Sequence, residues 1–199
     1  MATVANGVVT PVTAGTTTIT VTTVDGGKTA TCVVTVNPVA VGDSYGGGKV
    51  AYILVEGDTG YDANVQHGLI AAAADQTPSD SGIQWYNGSY VTTGATGTAI
   101  GTGQANTTAI VTAQGAGSYA AQLCNDLTEG GYDDWFLPSK DELNKLYLNK
   151  GTIGGFADYY YWSSSEYDAY YAWSQNSLNG LQYSNLKHYT YRVRAVRAF

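Results

Sequence analysis

Charge is what this sequence has least of. Only 13% of its residues are Asp, Glu, Lys or Arg, about half of what a soluble domain usually carries. Nine basic residues against sixteen acidic ones give a formal net charge of −7. The basic residues gather only at Arg192, Arg194 and Arg197, so the chain is not expected to track a nucleic-acid backbone. There are two cysteines, Cys32 and Cys124, with no CxxC and no metal-ligand spacing; unpaired thiols are expected rather than a disulfide. The only histidines are His67 and His188, and neither stands in a Ser-His-Asp order that supports nucleophilic catalysis. No apolar run is long enough to span a membrane, so no membrane insertion is expected. The N-terminus lacks a charged region followed by an apolar stretch, so no signal peptide is expected. Gly46-Gly47-Gly48 is not followed by a helix opening with Lys-Ser/Thr, so it is not a phosphate loop.

Gly, Thr, Ser, Asn and Tyr fill the space that charge leaves. That bias favours strands and loops over surface helices. Tyr, Ser and Asn crowd the last stretch, Trp162–Phe199. Rigid aromatics beside small polar residues are the composition of antibody combining sites, where Tyr gives large contact area for little lost rotamer entropy. A surface of this kind is suited to binding rather than to chemistry.

Three compositional blocks follow along the chain. In residues 1–37, Thr and Val alternate over Thr16–Thr23 and Thr29–Val36, with Asp25-Gly26-Gly27 between them, which predicts a β-hairpin. A shorter strand is expected at Gly7–Thr10, ending at Pro11. Residues 38–44 read as a linker. From residue 45 to 199 the pattern is mixed. Strands are expected at Val50–Val55 and His67–Ala73, loops over Ser79–Gly103, and helix over Thr107–Gln114 and Tyr119–Leu127. Ser139 and Glu142 have the spacing of a capping box, which predicts a helix over Ser139–Leu148, stopped at Gly151. Asn179-Gly180 has the signature of a type I′ hairpin turn, which would set Leu178 opposite Leu181 and Trp173 opposite Leu186. Tyr191–Ala195 alternates as a strand does.

Three motifs carry a family resemblance over roughly residues 44–199: GYDDWFLPSKDELNKLY (Gly131–Tyr147), YWSSSE (Tyr161–Glu166) and RVRAVRAF (Arg192–Phe199). In this order they resemble the C-type lectin fold in its formylglycine-generating-enzyme-like branch, and the variable proteins of diversity-generating retroelements. Residues 2–37 resemble the C-terminal half of a bacterial group 2 immunoglobulin-like domain whose first half is missing. Three strands do not close a sandwich, so this piece is expected to lean on the next domain, pair with another subunit, or continue a longer protein. The fold class implied is α+β, a C-type lectin fold with a short all-β Ig-like N-terminal segment.

The resemblance implies a variable region over about 162–199. Adenine-directed miscopying of Asn codons does not yield Lys, Glu, Gln, Met or Trp. The candidate ligand-binding positions are Tyr167, Asp168, Tyr170, Tyr171, Ser174, Leu181, Tyr183, Ser184, Leu186, His188, Tyr189 and Tyr191. None carries an excluded residue, whereas their neighbours Trp162, Glu166, Trp173, Gln175, Gln182 and Lys187 do. The six tyrosines among the candidates are expected on one exposed patch. Trp162, Trp173 and the three arginines are expected as framework, with ion pairs to Glu166, Asp133 or Asp134.

The resemblance implies a macromolecular ligand on a cell surface, met by a phage tail or a bacterial surface protein; the absent signal peptide favours the phage. Monomer and homo-oligomer, a trimer included, both remain open. No enzyme activity, cofactor or metal is expected. The branch's oxidase uses a pair of cysteines near its C-terminus, and this chain has none after Cys124. Calcium-dependent lectins carry Glu-Pro-Asn and Trp-Asn-Asp, and both are missing. A structural or adhesion module without a diversified site is the alternative.

Overall fold

The computed structural model describes residues 2–11, 14–77 and 82–199. Residues 79–81, the start of the expected Ser79–Gly103 loop, lie outside them. The architecture is α+β, with short helices among several small antiparallel sheets.

The Thr/Val block forms two hairpins. β1 (Ala2–Ala5), which the sequence reading missed, pairs with β2 (Val8–Pro11) across the two-residue turn Asn6-Gly7. Asn6 has a positive φ of 51°, as a type I′ turn requires. β3 (Gly15–Thr22) pairs with β4 (Thr29–Val36) from Gly15↔Val36 to Thr22↔Thr29. Asp25 closes their loop, accepting from the Gly27 N–H at 3.0 Å. Alternation here gives strands but no core. No residue before Val50 whose burial is described is buried, and Cys32 is exposed. The linker is tied down at both ends: the Gln66 amide exchanges two 2.9 Å hydrogen bonds with the Val39 backbone, and Gly42 and Asp43 bond the Val50 backbone at 2.8 and 2.9 Å.

The larger part is built around a four-stranded sheet in the order β13-β7-β6-β5. Its strands are β5 (Ser44–Tyr45), β6 (Gly48–Ile53), β7 (Gly68–Ala71) and β13 (Val196–Ala198). β7 is buried throughout, and its continuous apolar run matches a central strand. β8 (Ile83–Gln84) pairs with β12 (Thr190–Tyr191). The expected strand Tyr191–Ala195 is therefore broken. Val193, Arg194 and Ala195 are all buried, so the chain crosses the core there instead of alternating on a surface.

α1 (Gly103–Gln114) starts four residues before its expected beginning, because the Gly-rich stretch ahead of it turns inward. There Asn106 bonds both the N–H and the C=O of Gly97. α2 (Ala120–Asn125) follows after Gly115. α3 (Lys140–Leu148) carries the full capping box: Ser139 accepts from the Glu142 N–H and Glu142 accepts from the Ser139 N–H. Gly151 does not stop it. A further turn, α4 (Lys150–Ile153), continues to Gly154, whose φ of 80° ends the segment.

The third sheet is β11-β10-β9, made of β9 (Tyr160–Glu166), β10 (Tyr171–Asn176) and β11 (Gln182–Leu186). Its hairpin register pairs Trp173 with Ser184 and Gln175 with Gln182, two residues away from the expected one. The loop is longer than a two-residue turn because Ser177 is held below it, donating its N–H to Tyr159 O at 2.9 Å and its hydroxyl to Ala157 O. Gly180 takes φ 78° there and lies where a Cβ would run into the Tyr147 ring.

The main core gathers Trp85, Trp135 and Trp162 with Ile70, Ile110, Tyr119, Leu137 and Val193. Each indole finds an acceptor: Trp85 bonds Ser163 O at 2.8 Å, Trp162 bonds Ile83 O at 3.0 Å, and Trp135 bonds Tyr132 O at 3.2 Å. Cys124 is buried among them, which pushes its thiol pKa up.

Candidate functional site

The terminal arginines act as framework, with partners only partly foreseen. Asp75 accepts from Arg194 Nε at 2.8 Å, from Arg192 at 3.1 Å and from the Tyr161 hydroxyl at 2.8 Å. Arg197 makes a two-point contact with Asp134, at 2.6 and 2.9 Å, which holds the Asp134 carboxyl below its usual range. Asp133 and Glu166 are not the arginine partners. Glu166 instead meets Lys187 at 2.6 Å, with both side chains shut off from solvent. The Glu166 carboxylate also accepts from the backbone N–H groups of Thr93 and Gly94. Lys187 donates to Val91 O at 3.1 Å and Ala169 O at 3.0 Å, and lies over the Trp85 ring.

Above this buried pair the candidate positions come to the surface, but not as one patch. Tyr167, Tyr170, Tyr171, Tyr183 and Tyr189 are exposed, from 37% for Tyr171 to 58% for Tyr167. Ring contacts join several of them into a band. Tyr90 meets Tyr170 at 5.2 Å and His188 at 6.4 Å; His188 meets Tyr189 at 4.8 Å; Tyr189 meets Tyr191 at 6.1 Å. Tyr191 stacks on Tyr160 at 5.0 Å, and Tyr160 reaches Tyr183 at 6.1 Å.

Tyr191 is a correction to the expected exposed set. It is half-buried against Trp162, 4.5 Å between ring centres, and burial first, then its tyrosine neighbours, push its hydroxyl pKa up to about 12. Ser174 is a second correction. It is 1% exposed, its hydroxyl donates to Tyr183 O and accepts from Asn185, and it cannot meet a ligand.

Other candidates lie apart from the band. Tyr167 turns edge-on to Trp173. By register, Trp173 shares a face with Ser184 and with the half-buried Leu186, opposite to Ser174 and Tyr183. Trp173 is itself half-exposed under the Lys140 ammonium, 3.9 Å away, and so is only partly framework. Leu181 is exposed at the far end of the hairpin, about 17 Å of strand from the Tyr170 loop. Asp168 is exposed, yet its carboxylate is spent locally: it accepts from the N–H groups of Tyr170 and Tyr171 at 2.7 and 2.8 Å and shapes the loop.

Two tyrosines of the band were missed from sequence. Tyr86 and Tyr90 sit in the run Tyr86-Asn87-Gly88-Ser89-Tyr90, with rings 4.8 Å apart. The run has the same Tyr/Asn/Gly/Ser composition as the C-terminal segment, and that signal was available. The Tyr90 hydroxyl lies 2.6 Å from His188 Nδ1.

A cleft of about 300 Å³ is lined by Leu54, His67, Phe136 and Glu142 among others. Burial raises the Glu142 carboxyl, offset by hydrogen bonds from Ser139, Gly101 and Gly103, so its oxygens are occupied by the helix cap and the loop before α1. No group of three or more His, Cys, Asp or Glu side chains among the described residues is placed to hold a metal ion. No described helix is long and apolar enough to cross a membrane.

Residues 76–197, more than half of the chain, match the family model described as the Lcl C-terminal domain. No curated protein matches the chain.

Proposed function

The chain belongs to the Lcl C-terminal domain family, and from that premise we propose that it is a ligand-binding protein of the C-type lectin fold. Its C-terminal segment is diversified by a retroelement, and the rebuilt surface attaches a phage tail or a bacterial surface to a macromolecule on a cell. The observation that carries this reading is the division of labour in the last forty residues. Lys187, Glu166, Trp162, Arg194 and Arg197 are buried, Lys187 and Glu166 bonded to each other and the arginines to Asp75 and Asp134, while five tyrosines between them in sequence stand in solvent, several of them joined in a band. A scaffold whose surface residues change must keep its stability in residues that do not. The absence of a second cysteine near Cys124, and the burial of that thiol, speak against the oxidase chemistry of the formylglycine-generating branch, and we read the protein as no enzyme.

The DNA beside the gene tests the diversification. A downstream near-identical repeat that differs only at adenines, next to a reverse transcriptase gene, is the expected finding. A complete flanking sequence with no such repeat would leave the alternative, a fixed adhesion module. The binding role is tested by replacing Tyr167, Tyr170, Tyr183 and Tyr189 together with Ser. The protein is expected to melt as before and to lose its attachment to cells. Unfolding of that variant would mean that the tyrosines are packing.

A further inference from the structure

We infer that Tyr86 and Tyr90 form a constant arm of the binding surface, used whatever residues occupy the diversified positions, and that its partner is a protein face presenting basic side chains. The inference rests on the binding role proposed above and extends it to a loop outside the segment about 162–199.

The loop is zipped onto the variable segment. β8 pairs Gln84 with Thr190 and Ile83 with Tyr191, the Trp85 N–H donates to Lys187 O at 3.0 Å, and the Gln84 amide reaches His188 O at 3.1 Å. It is also fixed from behind: Asn87 bonds Gln114 and Ala116 at the end of α1, and Glu166 holds Thr93 and Gly94. Tyr90 is therefore exposed, 39%, on a braced backbone. Its ring touches Tyr170 on one side and its hydroxyl touches His188 on the other, so a ligand seated on either candidate position meets Tyr90 too. A rigid aromatic loses little rotamer entropy on binding, which makes it a suitable anchor.

The partner's chemistry follows from charge. The band contains no Lys or Arg, and the chain carries a net charge of −7. Tyrosine ring faces attract guanidinium and ammonium groups, and an acidic protein with an uncharged aromatic band repels acidic partners and steers in basic ones.

The test uses the full chain displayed as a library, with the codons for Tyr167, Tyr170, Tyr183, His188 and Tyr189 randomised and Tyr86 and Tyr90 kept. Selection is against lysozyme, a basic protein, and in parallel against succinylated lysozyme, whose lysines are turned acidic. Binders are expected from the first arm and few or none from the second. Tyr90→Ser, placed in several unrelated binders, is expected to weaken each by about tenfold or more with no loss of melting temperature; Tyr86 is left in place because its ring also packs against the core. Tetranitromethane nitration of Tyr90 in the unsubstituted binders gives a second readout that needs no variant, and lysozyme is expected to protect it. Binders that keep their affinity and leave Tyr90 open to nitration overturn the constant arm. Equal yields from both arms overturn the basic partner. A folded library that binds neither target sinks the binding role itself.

Discussion

Lys187 and Glu166 form a 2.6 Å ion pair with neither side chain in contact with water, and Lys187 bonds the carbonyls of Val91 and Ala169, the residues next to Tyr90 and Tyr170. One buried ammonium thus joins the strand under the surface to both loops that carry the aromatic band.

Removing one partner of such a pair leaves the other charge buried and uncompensated. Lys187→Met is expected to cost about 3–5 kcal/mol in chemical denaturation. The double variant Lys187→Met, Glu166→Gln is expected to recover part of that loss. A double variant as unstable as the sum of the single ones would show that the two side chains act independently.

The helix cap offers a smaller, local test. Ser139 receives the Glu142 N–H and donates to Ala99 O at 2.9 Å. Ser139→Ala is expected to destabilise by about 1 kcal/mol, the usual worth of a cap, with a further loss from the Ala99 carbonyl. A change under about 0.3 kcal/mol would mean that the cap is dispensable.

Surface and framework aromatics are expected to separate cleanly. Tyr167→Ser and Tyr189→Ser should each shift stability by less than about 0.5 kcal/mol. Trp162→Ala empties the centre of the main core and strands the Ile83 carbonyl, and should cost about 3–5 kcal/mol. Thermal melts of the three variants decide this directly.

Acid sensitivity follows from Asp134. Hydrogen bonding to Arg197 lowers its folded pKa, so its contribution is fully present above the unfolded value of about 3.9 and is lost as pH falls through the lower folded value. Asp134→Asn is expected to flatten the fall in stability below about pH 4 and to leave the slope near neutral pH unchanged. Half of the Asp134 side chain is exposed, so salt should weaken the effect.

Among the residues whose burial is described, the N-terminal hairpins bury none, so a chain shortened to begin at Val41 is expected to keep the melting transition of the larger part, less the two Val39–Gln66 and the two Ala40–Asp43 bonds. Isolated residues 1–37 are expected to show no cooperative unfolding, because a two-stranded hairpin has no core of its own.

Much of this was legible because it was local. The cap at Ser139–Glu142, the β3–β4 hairpin and the division between exposed tyrosines and a buried Trp162 all follow from spacing and side-chain type. What escaped depends on distant partners. Asp75 was overlooked because nothing near it in sequence shows that Arg192 and Arg194 will arrive from more than a hundred residues away. The hairpin register shifted because Ser177 answers to Ala157 and Tyr159 rather than to its own turn. Ser174 passed the codon rule, but that rule says nothing about which face of β10 points inward. Tyr86 and Tyr90 have the right composition, but only the pairing of the neighbouring Ile83-Gln84 with the distant Tyr191 and Thr190 brings them to the band.

The last strand, β13, lies beside β7, and Phe199 exchanges backbone hydrogen bonds with Gly68 at 3.1 and 3.2 Å. The central sheet therefore closes only after the tyrosine-bearing segment has been synthesised in full. A chain cut short anywhere within that segment lacks the strand that pairs with β7, and is expected to stay open to proteases.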